Sequence, residues 1–251
     1  MKAVPSSVAV PVDSKYHLDR DGVGLEWNPA DLSALEAALR LKNGEGEVVV
    51  LTMGPPKIEM LLKELFPLGV DRAILLSDGK MAGADTFATA RTLKAAASKF
   101  GPFDLILCGR RAIDGETGQV APSLAAAMEI PSVSDVEKIE EKEGEIHLFR
   151  RLEIGTDHLL CKECAVVSVC EYSYPLRLPG ILSMRKAKGK CVEIVSADDL
   201  SAAKEEMGMR GSLTKVLSMT QNFPGKRQCV RITDPQKAME MIMDQIGEVA
   251  Q

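Results

Sequence analysis

From residue 31 to residue 128 the chain alternates short, wholly apolar runs with longer stretches whose apolar positions recur at helical spacing. Asp31 to Lys42 sets Leu32, Leu35 and Leu39 on one face beside Ala38. Asn28 or Asp31 can cap that helix, and Pro29 suits its first turn. Glu47 to Thr52 reads as a buried strand, broken by Met53-Gly54-Pro55-Pro56, and a helix follows through Leu65. Arg72 to Leu76 and Leu105 to Cys108 read as further buried strands. Asp85 to Phe100 and the segment ending at Met128 read as Ala-rich helices, and Val8 to Val12 as a short strand ahead of them all. Strands apolar on both faces, alternating with helices, predict an α/β fold with a mostly parallel, doubly wound sheet covered on both sides.

After Pro131 the texture changes. Val133 to Ile139, Glu145 to Leu152, Asp157 to Cys161 and Ala165 to Cys170 predict short strands in an antiparallel meander. Between Arg177 and Lys190 lie five basic residues and no acidic one, behind the apolar head Leu178-Pro179-Gly180-Ile181-Leu182. Such a run serves either as a solvated helix face or as a docking element, an apolar anchor beside cations that steer an acidic partner. Ser212 to Arg231 is polar and loop-like. Pro235 to Val249 predicts an amphipathic tail helix with Met239, Ile242, Met243, Ile246 and Val249 as its apolar stripe, suited to burial in a core or against another subunit.

The connection after Cys108 carries more chemistry than a minimal strand-to-helix link requires. It holds Gly109, Gly115 and Gly118 together with Arg110, Arg111, Asp114, Glu116, Thr117 and Gln119. A strand that feeds a glycine-bearing turn and then a helix gathers unpaired N–H groups at one point, which attracts anions such as phosphate. In a parallel sheet that point lies at the carboxyl ends of the strands, where ligands bind.

Composition narrows the rest. The 251 residues are 45% hydrophobic and 27% charged, enough for one large domain or one domain with an appended lobe. Aromatics at 4%, a net charge of −5 and a pI of about 5.4 argue against a nucleic-acid partner. No apolar run reaches the ~20 residues of a membrane span, and the N-terminus does not read as a signal peptide, so a cytoplasmic location is expected. The six cysteines are then free thiols by default. Cys161-Lys-Glu-Cys164 has the spacing of half a metal site, but a second pair is missing and no metal is expected. Phosphate-loop, zinc-protease and nucleophile-elbow motifs are absent. A catalytic group would have to come from Asp114, Glu116 or Asp85, and none is assigned. The residues thus leave open a nucleotide-binding carrier, a stand-alone nucleotide-binding regulatory module, or a nucleotide-dependent enzyme.

The chain also resembles the β subunits of electron transfer flavoproteins over most of its length. The likeness is carried by Asn28-Pro29-Ala30-Asp31 with Ala37 to Lys42, by Met53-Gly54-Pro55, by Leu75 to Asp78, and by Ala82-Gly83-Ala84-Asp85-Thr86. It is most specific from Cys108 to Pro122, and extends to Leu178-Pro179-Gly180-Ile181 with the basic run behind it. The family's usual Lys-Gln-Val-Pro-Asp-Thr segment is replaced here by Val10-Pro11-Val12-Asp13-Ser14. The resemblance implies an adenine-nucleotide site lined by Ala9, Asn28, Asp31, Met53, Asp85, Thr86, Gly109, Arg110, Arg111, Ala112, Asp114, Gly115, Thr117, Gly118, Gln119 and Val120. It implies FAD there, or AMP in the alternative, with NADH as electron donor if the protein is of the electron-bifurcating type. It also implies a heterodimer with an α subunit and a flavin-dependent dehydrogenase of acyl-CoA type docking at Leu178, Pro179, Ile181, Arg185, Lys186 and Lys188. Two parts are expected: residues 1–190 as the nucleotide-binding domain with meander and docking loop, and residues 191–251 as an arm and helix packing on the α subunit.

Overall fold

The apolar runs find partners in a mixed α/β fold. The computed structural model describes residues 1–6, 24–42, 46–200, 206–217 and 231–249, and divides into two compact units, Met1–Leu217 and Ser218–Gln251. In the first unit β1 (Ala3–Pro5) pairs antiparallel with β2 (Leu25–Trp27), which leads into α1 (Pro29–Leu41). The strands β3 (Val49–Met53) and β4 (Arg72–Leu76) run parallel, joined through α2 (Ile58–Lys63) and a 3-10 turn at Phe66–Leu68. Next come α3 (Thr86–Phe100), β5 (Ile106–Gly109) and α4 (Val120–Met128). The strands β6 (Ser132–Lys142), β7 (Glu145–Leu152), β8 (Gly155–Cys161) and β9 (Val166–Val169) follow. The first unit closes with α5 (Ile181–Ala187), β10 (Glu193–Val195) and the single turn α6 (Gly208–Gly211).

These strands form a parallel sheet ordered β10-β4-β3 and a mixed sheet ordered β5-β9-β6-β7-β8, besides the β1-β2 pair. Strand β4 shows why both faces are covered. Ala73 and Leu75 join Leu35, Leu39, Val50, Leu62 and Phe66 on one side, while Ile74 and Leu76 join Met81, Ala96, Val195 and Met207 on the other. Each side is sealed by a helix, as a strand without polar alternation requires.

One strand departs from the expected meander. β6, β7 and β8 are antiparallel, but β9 inserts between β5 and β6 and runs parallel to both. All four of its residues are buried. Val167 and Val169 meet α1 through Ala34 and Ala37, and Val166 meets α4 through Leu124. A strand buried on both faces belongs at the centre of a sheet, whereas a meander strand with one wet face would alternate. The short β10, unforeseen in the sequence, adds a parallel edge to β4 through Val195.

The second unit contains α7 (Pro235–Val249), on which Met239, Ile242 and Met243 are exposed. Val8 to Val12 lies outside the described residues, as does the Phe223 to Arg227 stretch. No helix among the described residues is long and apolar enough to cross a membrane.

Candidate functional site

The expected loop sits at the carboxyl end of β5, and the first turn of α1 grips its root. Asp31 and Asn28, both buried, do the gripping. Asp31 Oδ1 accepts the Gly109 N–H at 2.9 Å, and its Oδ2 accepts the Lys2 N–H at 3.0 Å. Asn28 donates from Nδ2 to Asp31 Oδ2 at 3.1 Å and to the Arg111 carbonyl at 2.9 Å, and its Oδ1 accepts the Ile113 N–H at 3.1 Å. Both ends of the Asn28 amide are therefore spent on shaping the loop. Lys2 Nζ reaches Asp114 Oδ1 at 2.6 Å, which ties the other side of the loop to the N-terminal strand.

Beyond Asp114 the chain is open. Gly115, Glu116, Thr117, Gly118 and Gln119 are all exposed. The Glu116 N–H closes a turn onto the Ala112 carbonyl at 2.8 Å, and Glu116 and Gly118 take left-handed φ values of 51° and 63°. Val120 then starts α4. Its N-cap residue, Gln119, makes no capping hydrogen bond with its side chain. By contrast α3 starts at Thr86 and is capped by Asp85, whose Oδ1 accepts the Ala88 N–H at 2.9 Å. The two helix starts touch, since Thr86 Oγ1 donates to Gln119 Oε1 at 3.1 Å. The first turn of α4 thus begins without a cap from its N-cap side chain, behind an exposed turn. That is an arrangement for holding an anion.

The tandem arginines divide their roles. Arg110 Nε and Nη2 donate to Glu171 at 3.1 and 2.8 Å, and its Nη1 lies 3.4 Å from Asp135. This fork–fork pair raises the Arg110 pKa further, chiefly through the Glu171 hydrogen bonds. Burial pushes the Glu171 carboxyl up, but hydrogen bonds, Arg110's among them, hold it below the usual carboxylate range. Arg111 stays half exposed, 3.8 Å from Glu171. Burial pushes the thiol of Cys108, just before the loop, up to about 11.

Other expected residues stand apart. Met53 ends β3 and packs against the core cluster of Ile74 and Leu76. Ala9 lies outside the described residues. Sequence reasoning missed Lys2, Asp135, Glu171 and the pair Ser212 and Thr214, which bond to Asp85. Each is far from its partner along the chain, so no local spacing could flag it. The five described cysteines are free, and no cluster of metal-ligating side chains occurs among the described residues.

The basic segment after β9 is stapled at both ends. Arg177 donates to the buried Glu36 from Nε at 2.9 Å, from Nη2 at 3.1 Å and from its N–H at 3.2 Å, and Arg40 Nε adds a bond at 2.8 Å. Lys190 Nζ donates to the Val70 carbonyl at 2.8 Å and lies over the Phe66 ring. Two of the five cations are thus structural anchors. Between them Leu178 and Ile181 protrude, 91% and 73% exposed, with Arg185, Lys186 and Lys188 exposed behind and Pro179 half-buried. Helix α5 buries no residue at all.

Comparison with known proteins agrees with this architecture. The electron transfer flavoprotein domain matches residues 16–200. The chain is 39% identical over 221 residues to the electron transfer flavoprotein subunit beta of Thermoanaerobacterium thermosaccharolyticum, covering 87% of this chain and 85% of that one. It is 38% identical over 221 residues to the caffeyl-CoA reductase-Etf complex subunit CarD of Acetobacterium woodii, covering 86% and 83%. It is 33% identical over 257 residues to the acryloyl-CoA reductase electron transfer subunit gamma of Anaerotignum propionicum, covering 96% and 94%.

Proposed function

The chain belongs to the electron transfer flavoprotein family, and from that premise we propose that it is a β-type subunit that holds an adenine nucleotide on the Gly109–Val120 loop. One observation carries the placement: α4 begins without a side-chain cap behind the exposed turn Gly115–Gln119, whereas its neighbour α3 is closed by its own Asp85. Phosphate oxygens fit the N–H groups of that first turn and the Thr117 hydroxyl, with Arg111 as the nearby cation. Asp114, held by Lys2, suits a ribose hydroxyl better than a phosphate. Asn28, Asp31 and Arg110 act indirectly by holding the loop in shape. Family likeness also assigns Met53, at the end of β3, and Ala9, outside the described residues, to the nucleotide.

FAD is the first choice and AMP the second, because both carry the adenosine phosphate that the loop suits. The likeness of Ala82–Thr86 and Asp114–Gln119 to bifurcating members favours FAD, with NADH as donor. When bound, FAD supplies the electron chemistry, and the chain supplies binding and orientation. The partner is an α subunit, on which the C-terminal arm packs. The electron partner is a flavin-dependent dehydrogenase of acyl-CoA type, which accepts Leu178 and Ile181 in an apolar groove and meets Arg185, Lys186 and Lys188 with acidic residues. The relatives named for caffeyl-CoA and acryloyl-CoA reductases support this class of partner. Two FAD per purified heterodimer supports the bifurcating reading, and one FAD plus AMP the ordinary one. A colourless monomer holding AMP or ATP refutes the carrier role in favour of a regulatory module.

A further inference from the structure

Asp85 holds two segments at once. One carboxylate oxygen caps α3 through Ala88, and the other accepts both the N–H and the hydroxyl of Thr214, each at 3.0 Å. The Asp85 N–H donates to Ser212 Oγ at 2.9 Å, and that hydroxyl reaches the Gly208 carbonyl at 2.9 Å. The rest of this strap, residues 206–217, is seated on the same corner. The Met209 N–H donates to the Ala82 carbonyl at 3.0 Å, and Glu206 pairs with Arg91 of α3 at 2.7 Å. Gly208, at φ +57°, sits so close that a Cβ there would lie 2.1 Å from the Lys80 carbonyl oxygen. Burial pushes the Asp85 carboxyl up, yet the hydrogen bonds from Ala88 and Thr214 outweigh it and hold the group below the usual carboxylate range.

The residue after Asp85 is Thr86, whose hydroxyl fixes Gln119 at the start of α4. The strap, the first turn of α3 and the proposed phosphate loop are therefore one chain of contacts. We propose that Asp85 is a positioning residue through which the 206–217 strap and the nucleotide loop order one another. This rests on the nucleotide reading of the Gly109–Val120 loop. Family likeness gave Asp85 to the ligand, but its carboxylate is already committed to the chain's own donors. If the strap lets go, the first turn of α3 loosens and Thr86 no longer holds Gln119. A ligand must then order the loop itself, and loses affinity. The coupling is reciprocal, so a nucleotide that orders the loop also holds down the strap, directly before the C-terminal unit.

The test uses the full chain as purified with its partner subunit, stripped of nucleotide and titrated with AMP and with FAD. Amide exchange is followed over residues 206–217. In the wild type, either nucleotide slows that exchange. Thr214→Val and Ser212→Ala speed it and weaken binding by about five- to tenfold, within the usual range of coupling between sites. Adding Asp85→Asn to Thr214→Val costs little more, since both break the same contact. Binding within twofold of wild type in both single variants, with the strap exchanging faster, overturns the coupling. A wild type that binds neither AMP nor FAD defeats the nucleotide reading itself, and the coupling falls with it. If Asp85→Asn does not fold, the two strap variants decide the matter alone.

Discussion

A methyl group at position 109 would have to share space with the first turn of α1. A Cβ there would lie 2.7 Å from the Asp31 nitrogen, 2.8 Å from the Ala30 carbonyl carbon and 2.8 Å from Asp31 Oδ1. Two of these are backbone atoms of a helix and cannot swing away. Overpacking of this kind costs about 1–3 kcal/mol. The shift that relieves it also stretches the 2.9 Å bond from the Gly109 N–H to the Asp31 carboxylate, a charge-assisted bond of about 1.5–3 kcal/mol. The two costs overlap, so Gly109→Ala destabilises by about 3 kcal/mol, or about 6–12 °C in Tm for a chain of this size. The other two glycines of the loop serve as controls. Gly118 is left-handed at φ +63°, with no neighbour closer than 3.6 Å to a Cβ, so Gly118→Ala costs only about 1 kcal/mol of backbone strain. Gly115 has open space and no left-handed φ, so Gly115→Ala is neutral or slightly stabilising, by up to about 1 kcal/mol. Thermal and guanidinium unfolding followed by circular dichroism gives the order 109, then 118, then 115. A Gly109→Ala variant as stable as Gly115→Ala refutes the grip of α1 on the loop.

Arg177→Ala leaves the buried Glu36 carboxylate with Arg40 as its remaining cation and costs about 2 kcal/mol in urea unfolding. Burial pushes the Glu36 carboxyl up, but bonds from Arg177 and Arg40 more than offset this and leave it below its ordinary 4.5. The contribution is therefore complete above about pH 4.5 and is lost as the pH falls through the lowered value, so the gap between wild type and variant narrows in acid. A gap that stays constant down to acid unfolding shows that the pair does not stabilise the fold through charge. Leu178→Ala slows reduction of the partner dehydrogenase and leaves nucleotide content intact; an unchanged rate removes Leu178 from the docking surface.

The segment from Arg177 to Lys190 shows how one simple pattern divides in the fold. In the sequence, Arg177, Arg185, Lys186, Lys188 and Lys190 form one basic run. In the fold the outer two are fastened to Glu36 and to the Val70 carbonyl, and the inner three remain exposed. For the docking role proposed above, a segment already fastened at both ends costs less entropy to order on a partner.

Period and capping alone determined the alternation of buried strands with α1, α3 and α4, because those signals act over a few residues. The glycine-bearing turn after β5 was legible for the same reason. The place of β9 was not, since a four-residue apolar run does not say which strands will flank it, and the answer came from burial against α1 on one face and α4 on the other. Nor could the sequence separate three glycines in one loop, or Arg110 from Arg111, or tell that Asp85 would be claimed by Thr214, 129 residues away. Those outcomes depend on which distant backbone arrives within 3 Å. Only the tertiary structure decides that, because the energy of a hydrogen bond or a clash is set by distance in space and not along the chain.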